Sequence, residues 1–199
     1  MFLKYLFKKG MIDMSFLDNL LPDQRNLLVS LPYRVGLYVS QSDESGGDDS
    51  DEAEMQALSS IITAYSQEVF GAETVQYIIC ETVSRKGEWE EWSKDIESIE
   101  GECHRAIDIL SEAVDEKEVN AFKRSMLEIG ESVALAFREY GESTPIMDKI
   151  KIYMYYTKSR KEAVRQGIVA MEWDQFINIS LDERKALQII AKALNTTYI

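Results

Sequence analysis

Seven carboxylates fall within twelve residues of this chain, Asp43, Glu44, Asp48, Asp49, Asp51, Glu52 and Glu54, and no Lys, Arg or His accompanies them. Oxygen-rich clusters of this kind hold hard divalent cations, calcium or magnesium, in flexible carboxylate cages, or attract the cationic groups of a partner protein. The cluster belongs to a longer stretch, residues 35–84, that carries ten acids and no base, a net charge of -10 against -13 for the whole chain. Repulsion among so many like charges costs stability unless solvent, a metal ion or a basic partner offsets it. Residues 43–54 open on Asp and close on Glu like the loop of an EF-hand. However, Asp48 stands where that loop needs Gly, and Ser50 where it carries an apolar residue. Two readings follow. One is a looser cation site built from Asp43, Asp48, Asp49, Asp51 and Glu54; the other is a solvated loop that caps the next helix.

Other candidate chemistry is thinner. His104 is the only histidine, and Glu100, His104 and Asp108 share one helical face at spacings of four. A di-iron carboxylate bundle would need Glu-x-x-His on two helices, and here Gly101 occupies the Glu position, so the row reads as a solvated face. Cys103 lies on an apolar seam, and its neighbour His104 points about 100° away around the helix, so the two form no nucleophile–base pair. Neither Cys80 nor Cys103 belongs to a Cys-x-x-Cys pair, which suits reduced thiols in a cytoplasmic protein. The chain has no phosphate-cradling Gly loop ending in Gly-Lys-Ser/Thr, no Gly-x-Ser-x-Gly and no His-Glu-x-x-His. A pI near 4.6 argues against general nucleic-acid binding. These absences point to a binding domain rather than an enzyme.

The elements that would position these groups are helices. Gly and Pro are scarce, ten and three, which favours long helices over a turn-rich β-fold. A helix starts near Pro22 or Asp23 and runs to Gln41, presenting Leu27, Leu28, Leu31, Val35 and Tyr38 or Val39, with a kink or break expected at Pro32. After the acidic loop, Asp51-x-x-Glu54 resembles a capping box, and Met55, Leu58, Ile61 or Ile62, Tyr65 and Val69 form a core stripe ending at Gly71. Val75, Ile79 and Val83 mark a third helix that stops near Gly87. Then Trp89, Trp92, Ile96, Ile99, Cys103, Ile107, Leu110 and Val114 repeat at spacings of three and four, as do Val119, Phe122, Met126, Ile129, Val133, Phe137 and Tyr140. Between them, Asp115-x-x-Glu118 is another capping signal. The pattern predicts a long antiparallel helical hairpin within a compact all-α bundle of about seven helices. Residues 149–156 alternate in a way that also suits a strand. With helices on both sides, a helix packing Ile146, Ile150 and Tyr153 is the reading adopted. Ser180-x-x-Glu183 opens a final helix with Leu187, Ile190, Ala191 and Leu194 inward. Residues 1–21 form a short N-terminal segment before a single domain, 22–199. Within it, residues 2–9 are aromatic and basic enough for weak contact with an anionic membrane surface, peripheral to a cytoplasmic location.

This order of features resembles the tellurite-resistance TerB family of small all-helical bacterial domains. There a helix ends in an Ala-Asp-Gly-like turn, a second begins Ser-x-x-Glu or similar, and the theme recurs near the C-terminus. The residues that carry the likeness are Val39-Ser-Gln-Ser-Asp43, Gly46-Gly47 and Asp51-Glu52-Ala53-Glu54-Met55-x-x-Leu58, then Ile179-Ser180-Leu181-Asp182-Glu183. The acidic turn is longer than the family's, and no Gly adjoins Asp43. The resemblance implies a compact helical domain without catalytic activity that binds a divalent cation, a basic protein partner, or both, in a stress-response complex. Asp43 and Glu54 correspond to the family's acidic pair and Glu183 to its later acid. The alternatives are a metal-free interaction module and a carboxylate-based enzyme around His104.

Overall fold

The computed structural model describes residues 16–42, 51–67, 72–136 and 181–198, together with positions 150, 154, 157, 160, 161 and 165. Within them the chain is all-α. A one-turn 3₁₀ helix, Phe16–Asn19, precedes α1 (Pro22–Ser40), α2 (Asp51–Gln67), α3 (Glu73–Ser84), α4 (Trp89–Trp92), α5 (Ile99–Ala113), α6 (Glu116–Ala136) and α7 (Leu181–Ala193). Further 3₁₀ turns, Lys86–Glu88 and Ile96–Ser98, flank α4.

Helix α1 is the axis of the bundle and packs against α2, α3, α4, α5, α6 and α7. Its start follows from local chemistry. Pro22 occupies the first turn, where its missing N–H is no loss, and the Gln24 side chain accepts the Leu21 N–H at 3.0 Å. From Leu27 to Leu37 every residue is buried, so this helix is enclosed on all sides rather than amphipathic. It passes through Pro32 without the break that proline suggests. Proline leaves the carbonyl four residues earlier without its helical donor, and nearby the Thr82 hydroxyl of α3 donates to the Val29 carbonyl at 2.6 Å. Surrounding helices hold α1 straight enough to continue where an isolated peptide would end.

Two glycines set how closely its neighbours approach. A Cβ built on Gly36 would lie 2.4 Å from Leu58 Cδ1 of α2 and 3.3 Å from Val133 Cγ2 of α6. One on Gly130 of α6 would lie 2.8 Å from Leu187 Cδ2 of α7 and 3.3 Å from Val39 Cγ2 of α1. The absent side chains are therefore what lets α1, α2, α6 and α7 share one core.

The first arm of the hairpin departs from the sequence expectation. Its apolar seam is continuous, with Trp89, Trp92, Ile99, Cys103, Ala106 and Leu110 all buried, but the helix is not. It breaks after Trp92, and Asp95 takes a left-handed conformation, φ 51°. The cause lies 58 residues away. The buried guanidinium of Arg34 donates from Nη1 to the carbonyls of Trp92 and Lys94 (2.7 Å for the latter), and from Nη2 to the Asp95 carbonyl at 2.9 Å and Ser98 Oγ at 3.1 Å. From Nε it donates to Glu102 Oε2 at 2.6 Å. An arginine has five N–H donors in a fixed fork, and all five are used. The junction gives up helical hydrogen bonds so that its carbonyls can meet this cation.

Other expectations fare variously. Asp115 caps α6 through the Glu118 N–H at 2.9 Å, but Glu118 does not complete the box; its carboxylate accepts the Thr74 N–H at 2.9 Å and so caps α3. Met55, expected in the core stripe, is 39% exposed at the first turn of α2, while Leu58 and Tyr65 are buried, as are both of the alternatives Ile61 and Ile62. The six described positions between 150 and 165 are each helical, and Ile150 joins the core; Ile146 and Tyr153 lie outside the described residues. Leu17 is also core, so burial begins before residue 22.

Gly36→Ala is expected to lower the unfolding free energy by about 1–2 kcal/mol, because overpacking outweighs the gain in helix propensity. Gly101→Ala, where an added Cβ meets nothing within 4 Å, should stabilise by roughly 0.5–1 kcal/mol. Urea titration of both variants checks the pair. Arg34→Lys, with three donors facing five acceptors, should cost about 3 kcal/mol and shift the tryptophan emission.

Candidate functional site

Asp43, Asp48 and Asp49 lie outside the described residues, as do residues 2–9. Asp51 and Glu54 sit in the first turn of α2, which begins at Asp51, where the capping-type motif places its start; their side chains are outside the described set. Glu183 is in the first turn of α7 and only 3% exposed, so it is a carboxylate within the bundle rather than an open ligand. No group of three or more His, Cys, Asp or Glu side chains able to hold a metal ion occurs among the described residues.

The described part of the molecule carries a second acidic feature. Glu97, Glu100, His104, Asp108 and Glu112 recur at helical spacing along the outer side of α5 and its preceding turn, and all are exposed. Sequence reading recognised the row 100–104–108 as solvated. The cations of the preceding elements are engaged elsewhere, while Arg105 stands exposed on α5 itself, three residues from Asp108. Arg25 bridges Asp18 at 3.1 Å and Glu81 at 3.0 Å, Arg34 holds Glu102, Arg85 pairs with Glu88, and Lys94 pairs with Glu91. Among the described residues, Glu97, Glu100, Asp108 and Glu112 have no salt-bridge partner. The signal available in sequence was the scarcity of bases, five Lys or Arg between residues 16 and 104.

Where carboxylate and cation meet, protonation equilibria shift. The hydrogen bond from Arg85 holds the Glu88 carboxyl below its usual range. The tyrosines shift the other way. Burial raises Tyr33, and burial followed by the field of Glu100 raises Tyr38. Cys103, fully enclosed on the seam of α5, is pushed up to about 12, by burial first and then by the charges of Glu102 and Glu100. A thiol so placed stays protonated and unreactive at neutral pH. Cys80 is half-buried, within hydrogen-bond reach of Gln76 Nε2 at 3.3 Å.

Aromatic packing fixes the other end of the same region. Tyr33 stacks on Trp89 with ring centroids 4.7 Å apart, and Trp92 sits 6.4 Å from Tyr33. The Trp89 indole N–H donates to the Thr82 carbonyl at 3.0 Å. Arg85 lies over Trp92 at 5.2 Å and Lys86 over Trp89 at 5.5 Å. Two open concavities flank the bundle. One, of about 470 Å3, is formed by the end of α7 and the residues after it, including Lys192, Asn195 and Tyr198. The other, of about 500 Å3, lies between α2 and the Lys86–Glu88 turn. His104 lines neither.

No family model, no curated protein and no solved structure matches this chain. No helix of the described residues is long and apolar enough to cross a membrane.

Two outcomes follow from the buried weak acids. In the native protein a thiol reagent such as DTNB should label Cys80 first and reach Cys103 only on unfolding; equal native rates would contradict the burial of Cys103. A raised folded-state pKa means that stability is whole below the unfolded value and is lost as pH rises towards the folded one. The Cys103 contribution should therefore fall between pH 9.0 and about 12, and Cys103→Ala should flatten the alkaline decline of the urea midpoint.

Proposed function

We propose that this chain is a TerB-like, non-catalytic helical domain that docks a basic protein partner through its acidic surface. A divalent cation, calcium or magnesium, is the second ligand class, held by Asp43, Asp48, Asp49, Asp51 and Glu54. The observation that carries this reading is the segregation of charge. Residues 35–84 contain ten acids and no base, while residues 145–199 carry a net +3. The outer side of α5 extends the acidity with four carboxylates that lack salt-bridge partners among the described residues. Such a field steers a cationic partner and repels an anionic one before contact. The stress-response setting comes from the family resemblance alone.

Calorimetry tests both halves. A decalysine peptide serves as the basic probe and calcium or magnesium chloride as the metal probe. Peptide binding should weaken steeply between roughly 0.05 and 0.5 M salt as screening shortens the field's reach, and EDTA should leave it unchanged. Neutralising Glu97, Glu100, Asp108 and Glu112 to their amides should reduce it several-fold. Metal binding should saturate and be lost in Asp43→Asn/Glu54→Gln. The docking half fails if neutralisation of neither the loop nor the α5 stripe alters peptide binding. The metal half fails if no saturable heat is seen.

A further inference from the structure

Of the five Lys and Arg residues between positions 16 and 104, four hold a carboxylate. Lys86 does not. Its ammonium lies 2.6 Å from Ser59 Oγ and 5.5 Å from the centre of the Trp89 ring, at the edge of the concavity of about 500 Å3 between α2 and the turn before α4. Gln56, Ser60 and Met55 complete the wall. Among those five, Lys86 alone is left to a hydroxyl and an aromatic face.

The arrangement defines a ligand. Ser59 Oγ accepts from Lys86, so its own proton is directed elsewhere, and the ammonium retains two further N–H donors. Ammonium and hydroxyl thus form a pair of adjacent donors suited to the two oxygens of one carboxylate. Beside them, the Met55 side chain, 39% exposed, supplies apolar surface, and Trp89, 4% exposed, backs the wall. Trp89 is held from behind by its stack with Tyr33 and by its indole bond to Thr82, so the backing of this surface is preorganised. One ammonium balances one carboxylate. A phosphate dianion would bring surplus negative charge to a molecule already at -13.

We propose that Lys86, Ser59 and the Met55–Trp89 surface form a binding site for a monocarboxylate carried on an apolar body, either a free organic acid or the C-terminus of a peptide ending in an apolar residue. The site is independent of the acidic loop and of the α5 stripe, so its failure would leave the docking function untouched.

The test follows the backbone amide and tryptophan indole N–H signals of the full chain by NMR during titration with 3-phenylpropionate, 3-phenylpropionamide and the peptide acetyl-Ala-Phe as acid and as amide. The acids should shift the Trp89 indole and Lys86 signals saturably, and the amides should not. Lys86→Gln, a surface change that leaves the spectrum otherwise intact, should weaken binding about tenfold or more. Ser59→Ala should weaken it less. Comparable affinity for both acids assigns the site to free organic acids, and tighter binding of the peptide acid assigns it to a peptide terminus. Shifts that do not saturate, equal response to acids and amides, or undiminished binding in Lys86→Gln would overturn the proposal.

Discussion

A guanidinium enclosed in a protein must have all of its donors answered, because an unpaired buried charge costs several kcal/mol. Arg34 imposes that condition at the centre of this bundle. It lies on α1, which among the described residues packs against all six other α-helices, and it finds its acceptors in three carbonyls, a hydroxyl and a carboxylate of the segment 92–102. Those carbonyls can turn to the guanidinium only where the helix between Trp92 and Ile99 is interrupted, and that of Asp95 accepts the Ser98 N–H and hydroxyl as well. The interruption in turn lets Trp89 and Trp92 fold back onto Tyr33, the residue beside Arg34. A single dipeptide therefore sets the path of the chain into α5, and with it the direction in which the acidic outer side of that helix faces.

The same logic of satisfying exposed polar groups at long range recurs elsewhere. The N-terminus of α3 has no cap of its own, since the preceding residue is Ala72, and Glu118 from the start of α6 supplies the acceptor. Thr82 serves the carbonyl near Pro32, and Tyr65 reaches the Glu128 carbonyl and Ser132 hydroxyl across the α2–α6 contact. Each link spans dozens of residues and joins helices whose apolar faces would also tolerate neighbouring registers. Gly36 and Gly130 narrow the choice further, because each lies where a Cβ would meet branched side chains of two neighbouring helices. Apolar packing holds the bundle together; these polar and steric links decide how it is arranged.

That division explains what could be read from the chain beforehand. Helical period reports which face is buried, so the helices and the all-α class were legible from Leu27, Leu58, Val75, Phe122 and Leu187 and their repeats. It says nothing about continuity, because the seam from Trp89 to Leu110 keeps its spacing through a 3₁₀ turn and a left-handed Asp95. The available clue was Arg34 itself, a charge amid Leu31, Val35 and Leu37 on a helix with no polar face. Such a residue announces a distant partner without naming it. Candidate site residues suffered the same limit. Composition exposed the acidic segment at once, but which carboxylates remain unneutralised depends on where Arg25, Arg34, Arg85 and Lys94 reach in three dimensions.

Those four cations tie the acid-rich half to itself. Arg25 joins the first 3₁₀ turn to α3, Arg34 joins α1 to α5, and Arg85 and Lys94 hold acids within three residues. The carboxylates left over on α5 stand one helical turn or more apart in water, where each like-charge pair costs only about 0.2–0.5 kcal/mol. Folding tolerates that easily. A partner approaching from solvent meets the sum rather than the pairs, because fields of one sign add over distances where packing forces have vanished. The surplus charge is thus a small term in the stability of this bundle and a large one in the potential it presents to solvent. For that reason the net charge bears on the field around the domain far more than on how it folds.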